Sequence, residues 1–393
     1  MKISFCKTLL VAMIVVAAVV ARPARCGEVK LNALNQQEVA AGWILLFDGE
    51  TSFGWKTTGD VASRVVNGEL VLSGGQGFFT TTTAFPNYNL KADVWISADA
   101  NSGVFLRGSG DSFDSTNSYE VNVNDMNSEW PTGSIYGLAK PTSPVKAAGK
   151  WTTVEITANG SKLTAKMDGK LTAEATDMQF KNGTVALQYD GAGVVKYRNI
   201  KLQPLNLESI FNGKNLEGWK EVPDHKSVYT VTPEGWMNVN NGNGDIQTER
   251  EWGDFVLQID VISNGDHLNS GVFFRAIKGQ FWSGYECQIR NQWQGDDRTK
   301  AVDYGTGGLY NRQPARKVVS SDREWFTVTQ VAHGLHMASW VNGYQVTDFT
   351  DMRLPAESAR NGSRTKAGCL SLQGHDPTTD LSFRNIKVRE MPG

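Results

Sequence analysis

The side chains most able to do chemistry together lie in one short run, Tyr285-Glu286-Cys287-Gln288-Ile289-Arg290. Polar and apolar residues alternate there with period two, the pattern of a strand with one face in a core and one outside. Glu286, Gln288 and Arg290 share the polar face. Such a row can hydrogen-bond sugar hydroxyls, and its glutamate can take or give a proton. Trp282 and Trp293 flank the run in polar, glycine-containing sequence, where a flat ring can stack on the C–H face of a sugar. Tyr310, in Thr306-Gly-Gly-Leu-Tyr310, is a further aromatic candidate for sugar contact. His375, after Leu372-Gln-Gly374, brings the side chain that titrates nearest neutrality. Arg275 ends Asn269-Ser-Gly-Val-Phe-Phe-Arg275 and alternates with Phe273, which predicts a guanidinium on the sheet face, able to hold hydroxyls or a carbonyl oxygen. Plainer readings stand beside these: a solvated sheet face for the polar row, a cross-strand ion pair for the arginine, core packing for the tryptophans.

The elements that must carry these residues occur twice. Phe47-Asp-Gly49 and Trp55 return as Phe211-Asn-Gly213 and Trp219, and Asn101-Ser-Gly-Val-Phe-Leu-Arg107 returns as Asn269–Arg275. Tyr119-Glu120 matches Tyr285-Glu286, Thr132–Tyr136 matches Thr306–Tyr310, and Arg198-Asn-Ile-Lys201 matches Arg384-Asn-Ile-Lys387. Order is kept throughout, so this is a domain duplication rather than a short solenoid repeat. The expected units are 42–204 and 205–393, after a lead-in at 27–41. In the first unit Glu120 and Arg107 are the counterparts of Glu286 and Arg275, and are candidate sugar contacts there. Each unit reads as short β-rich runs between Gly, Asn and Asp. Leu163–Met167 into Asp168-Gly169, and Met337–Val341 into Asn342-Gly343, predict two-residue hairpins. Only Asn35 to Ala41 looks helical. The fold class is therefore all-β, two tandem sandwiches.

Composition bounds the rest. The chain has 393 residues and a formal charge of -2, with no basic cluster, so nucleic acid and anionic membranes are poor partners. Residues 1–26 read as a signal peptide: Lys2 and Lys7, an apolar run from Leu9 to Ala21, then small residues suited to cleavage. Export to the periplasm or medium follows, with no membrane span in the mature chain. Cys6 and Cys26 leave with that segment. Alternation points Cys287 and Cys369 at different kinds of face, against a bridge that export would permit. Cysteines without close partners make no zinc signature; no metal or cofactor motif is visible, and a structural calcium ion stays open. All five histidines fall in the second unit. The sequence has no G-x-S-x-G, H-E-x-x-H or P-loop, and no Glu-x-Asp-x-x-Glu pairing two carboxylates on one strand.

Taken jointly, Phe211–Trp219, Asn269–Arg275, Gly284–Ile289, Thr306–Tyr310, Leu372–His375 and Phe383–Ile386 resemble the 3-keto-disaccharide hydrolase family, over nearly all of 206–390 and more loosely over 42–203. The resemblance implies a concanavalin A-like jelly roll, export, and cleavage of glycosides oxidised at C3. A C3 ketone acidifies the C2 proton, so one base and one acid suffice for elimination, with water added afterwards. On that scheme Glu286 is the base, His375 the acid or second base, and Arg275 the enolate or hydroxyl binder. The first unit has no histidine, and Asn122 stands where the second has Gln288, so catalysis is expected in the second unit and sugar binding at most in the first. A non-catalytic, lectin-like carbohydrate-binding protein is the competing reading.

Overall fold

The computed structural model describes residues 30–392 in a continuous stretch. The proposed signal peptide, with Cys6 and Cys26, lies outside the described residues.

Each half of the sequence builds a front sheet and a back sheet with antiparallel pairing, packed as a jelly-roll sandwich. In the first half the front sheet runs Trp55–Gly59, Gly77–Thr81, Thr184–Tyr189, Ser102–Gly108, Tyr119–Val123. In the second half the same order recurs as Trp219–Glu221, Gly244–Trp252, Gly368–Gly374, Ser270–Ala276, Tyr285–Ile289. The back sheets match strand for strand as well. Their central strands, Tyr88–Ile96 and Phe255–Ser263, pair with the long closing strands Val195–Pro204 and Asp380–Glu390. Alternation explains the layering: Leu90, Ala92, Val94 and Ile96 point into the first core, and Leu257, Ile259 and Val261 into the second. The hairpins fall where the turn residues predict, with Asp168-Gly169 and Asn342-Gly343 both at positive φ. A short helix, Gln36–Ala40, is capped by Asn35 and Glu38 in a reciprocal box. Cys287 and Cys369 are free and buried.

The same local device bends both front sheets. Arg107 and Arg275 each sit at φ 50°, and the pairing slips by one residue at each. This bulge breaks the alternation that Phe273 begins, and it turns the guanidinium away from the outer face.

The two sandwiches share apolar packing. Ala338 and Trp340 lie on the outer side of the second back sheet, and with Val256 and Val331 they join the core cluster of the first sandwich. Trp340 is 1% exposed. Its indole donates to the Leu45 carbonyl at 2.9 Å, and its ring centre lies 6.0 Å from that of Phe85. Polar contacts ring this plug. Arg316 pairs with the buried Asp48 at 2.8 Å, and Thr82 donates to Asp348 at 2.7 Å.

Candidate active site

The front sheet of the second sandwich presents two cross-strand rows on its outer face. One runs Asp245, Gln373, Gly271, Gln288, and the next Gln247, Ser371, Phe273, Glu286. Gly271 leaves a gap between the two glutamines. A Cβ there would stand 2.8 Å from Glu286 Cγ and Oε1, so the missing side chain is what lets Glu286 lie across the floor. Over this floor opens a cavity of about 560 Å³ lined by Glu286, Gln288, Gln373, Asn269, Asp303, His375, Trp282, Tyr310 and Arg360. The volume suits a ring or two of a small ligand.

Glu286 is 5% exposed at its side chain, and Arg360 Nη2 donates to its Oε2 at 2.7 Å. Burial raises the Glu286 carboxyl above its ordinary range, and the Arg360 charge and hydrogen bond offset only part of that rise. Arg360 comes from the long connection 351–367, where the first sandwich has only 177–183. Its backbone is fixed by Arg312, which donates to the carbonyls of Ala359 and Arg360 at 3.1 and 2.9 Å. The root of the connection is tied to the Glu286 strand, since Tyr285 and Arg353 both donate to Asp351 at 2.7 Å. Burial alone would raise Asp351, but these hydrogen bonds outweigh it and bring the carboxyl down to about 2.

His375 stands across the cleft. Its Nδ1 is 2.9 Å from Asp376 Oδ2 and its Nε2 is 3.2 Å from the Asn269 amide nitrogen. Asn269 also donates to Asp303 at 2.9 Å while its oxygen accepts from Gln288 at 3.1 Å, so the network assigns the proton to Nδ1 and the free electron pair to Nε2. Trp282 stacks beside the imidazole, 6.1 Å between centres and 27° between planes. The strand Gly244–Trp252 holds the Trp282 loop: Asp245 accepts from the Trp282 N–H at 3.0 Å, and Gln247 bonds Gly279 and Gln280. Burial raises Asp245 to about 7, the Trp282 N–H opposing and nearby Glu286 adding to the rise. Three buried oxygens here, Gln288 Oε1, Gln373 Oε1 and Asp245 Oδ1, have no donor among the described residues. Glutamine acceptors bordering an open cleft suit a ligand rich in hydroxyl donors.

The structure thus brings together Glu286, Gln288, His375, Trp282 and Tyr310. It places five other sequence candidates elsewhere. Arg275, expected at the enolate, is 0% exposed. The bulge turns it into the protein, where it donates to the carbonyls of Gly253, Gly334 and Arg364 and pairs with Asp254 at 2.8 Å. Arg107 does the same in the first sandwich through Pro86, Gly160, Phe180 and Asn87. Both arginines staple the sheets together. Arg290 lies past the end of its strand, bonded to Gln292 and the His267 carbonyl. Trp293 sits in a small separate hairpin under Arg298, 4.0 Å from its ring centre. Glu120 keeps its place in the first sandwich, but among the described residues no arginine or histidine faces it, and burial with Asp190 nearby raises it to about 8. Arg360, Asp303, Asn269 and Gln373 were missed as site residues. Asn269 and Gln373 stood inside motifs already singled out, and the extra length before Gly368 in the second repeat was the available signal for Arg360. Among the described residues no cluster of three or more His, Cys, Asp or Glu is placed to hold a metal ion.

A polar cleft on the outer face of a jelly-roll sheet, walled by tryptophan and tyrosine, defines a carbohydrate-active β-sandwich protein. The chain belongs to the 3-keto-alpha-glucoside-1,2-lyase-like domain family, whose sequence profile matches residues 42–203 and again 206–389. Among solved structures, a Parabacteroides distasonis protein provisionally named a glycosyl hydrolase is 20% identical with a TM-score of 0.41, covering 45% of this chain and 100% of its own. A second from the same organism is 22% identical, TM-score 0.39, covering 47% and 100%. The carbohydrate binding module CBM66 of Bacillus subtilis is 20% identical, TM-score 0.30, covering 38% and 94%. A comparison with curated proteins found no match.

Proposed function

We propose that the second sandwich cleaves glycosides oxidised at C3, in a protein exported by its N-terminal segment. Glu286 takes the C2 proton, and the electron pair passes into the C3 carbonyl as an enolate. The enolate collapses to a C1=C2 double bond, the C1–O bond breaks, and the leaving oxygen takes a proton from His375, whose Nε2, unprotonated at rest, has first taken one from solvent. Water then adds across the double bond, its hydroxyl to C1 and a proton to C2, giving the 3-keto sugar. Arg360 fills the role that Arg275 cannot, offering N–H donors beside the base to a developing oxyanion. Asp376 holds the imidazole through Nδ1, while Gln288, Gln373 and Asp303 take sugar hydroxyls.

The observation that carries this reading is the make-up of the cleft: one buried carboxylate with a guanidinium on one side and an oriented imidazole on the other. Asp303, the other carboxylate of the lining, is already engaged by Asn269 and Gln288, and Asp245, at the end of the floor row, accepts from the Trp282 N–H and is pushed by burial up to about 7. An oxocarbenium route calls for two acting carboxylates; elimination beside a ketone calls for one base, one acid and an oxyanion donor. The test compares a glucoside with its 3-keto form and follows C2 hydrogen exchange in deuterated water. Equal rates without exchange would remove the elimination, and binding without turnover would leave a lectin-like protein.

A further inference from the structure

We infer that the first sandwich carries a second, non-catalytic site for a single ring of a neutral pyranose sugar, on the side of its front sheet formed by Trp55–Gly59, Gly77–Thr81 and Thr184–Tyr189. The inference rests on the reading that the chain acts on carbohydrate, and it concerns a different set of residues.

Strand register shows how the first copy differs from the second. Its row reads Thr58, Phe78, Gln188, Gly103, Asn122, so Phe78 stands where Asp245 stands in the second copy. Asp190 follows Tyr189 where His375 follows Gly374, and the short connection 177–183 supplies no arginine to Glu120. This face has neither the histidine nor the arginine that flank Glu286 in the second copy.

The face nevertheless stays open. A cavity of about 290 Å³ lies over Thr58, Gln76, Phe78, Asp111, Gln188 and Asp190, near the lower end of ordinary ligand pockets at about 300 Å³. Its floor has the two parts a sugar ring needs. Phe78, half-buried, is braced edge-on by Phe105 at 5.3 Å and Phe113 at 5.0 Å, which fixes an apolar surface for C–H groups. On either side of Phe78 in the row, the Thr58 hydroxyl and the Gln188 side-chain carbonyl oxygen are buried with no partner among the described residues. Unpaired buried acceptors flanking an aromatic ring match a ligand with hydroxyl donors at its edge. Asp190 is held at the rim by Gln76 at 3.0 Å and Asn101 at 2.9 Å, and adds a third fixed acceptor. Asp111 is matched by Lys56 at 2.5 Å, which leaves Asp190 to set the local sign. A uronate or sulfated sugar would meet that charge, so the ligand is neutral.

The experiment uses the full chain carrying Trp282→Ala, which removes the aromatic wall of the second cleft, with methyl α-D-glucopyranoside followed by saturation-transfer NMR. Binding should persist in that background. Adding Thr58→Ala with Gln188→Ala should weaken it about tenfold or more, two hydrogen bonds being lost. Ser112→Trp, an exposed lining position whose substitution fills the mouth without touching the core, should do the same. Methyl α-D-glucuronate should bind more weakly than the neutral glycoside. Loss of all binding with Trp282→Ala alone, or binding indifferent to both first-sandwich variants, overturns the site. Turnover of a 3-keto glucoside by the wild-type chain is read separately. Its absence alongside Thr58- and Gln188-dependent binding would sink the catalytic reading and leave this site standing, and the reverse pattern would do the opposite.

Discussion

Replacing Arg360 with methionine keeps the stem of the side chain and removes its charge. The consequence for Glu286 can be worked from the geometry. The pair is 2.7 Å apart, with Glu286 5% and Arg360 28% exposed, so solvent screens it only in part. A hydrogen bond to a charged group of this kind is worth about 1.5–3 kcal/mol. Glu286 is already raised by burial, with Arg360 the main opposing influence. Removing Arg360 therefore raises the carboxyl further and leaves less of it ionised as a base. On the acid side of the pH profile, kcat/KM on a 3-keto glucoside should fall roughly ten- to a hundredfold, each tenfold corresponding to about 1.4 kcal/mol. The acid limb should move to higher pH. If Arg360 also binds the enolate, the plateau above that limb falls as well, by roughly a hundredfold or more. A plateau loss with an unmoved limb would mean that Glu286 is not the titrating base. An unmoved limb and an unchanged plateau would remove Arg360 from the mechanism.

Gly271→Ala should abolish turnover while circular dichroism and melting stay near wild type, because the added Cβ displaces Glu286; retained activity would mean the carboxylate has another working position. Glu120→Gln addresses the first sandwich. Its carboxyl is held up at about 8 mainly by burial, against 4.5 for a free glutamate, so the folded state binds the extra proton and wild-type stability falls as pH rises from 4.5 towards 8. The variant should flatten that decline in a melting-temperature series, and parallel curves would contradict the assignment. Trp340→Ala should lower stability by about 3–5 kcal/mol in a denaturant titration, the usual result of emptying a buried tryptophan site. The second sandwich cut out at residue 205 should aggregate or melt far below the full chain; an excised domain as stable as the parent would show that the shared packing contributes little.

Much of this fold is written in local patterns. Period-two alternation placed Glu286 and Gln288 on one face because a flat strand obeys it, and Asn-Gly and Asp-Gly marked the hairpins because only such residues accept their dihedral angles. The same rule misplaced Arg275. One residue in the left-handed region shifts every later side chain, and nothing in Val-Phe-Phe-Arg announces where that residue falls. Arg360 was hidden for another reason. It reaches Glu286 from 74 residues away through an irregular connection with no periodicity to read. The contact between the sandwiches was partly legible. In Met337–Val341 both faces are apolar, Met337 and Val341 on one and Ala338 and Trp340 on the other, whereas a sheet with one solvated face would alternate with polar residues.

That doubly apolar strand has a consequence for the history of the chain. The second copy now presents a dry outer surface that only its sibling covers. The first copy, which has no histidine and no arginine beside Glu120, still could not be deleted, since deletion would strand Trp340 in water. Such dependence works as a ratchet. It preserves a domain for the side it presents to its neighbour and leaves the opposite sheet free to drift towards a new ligand.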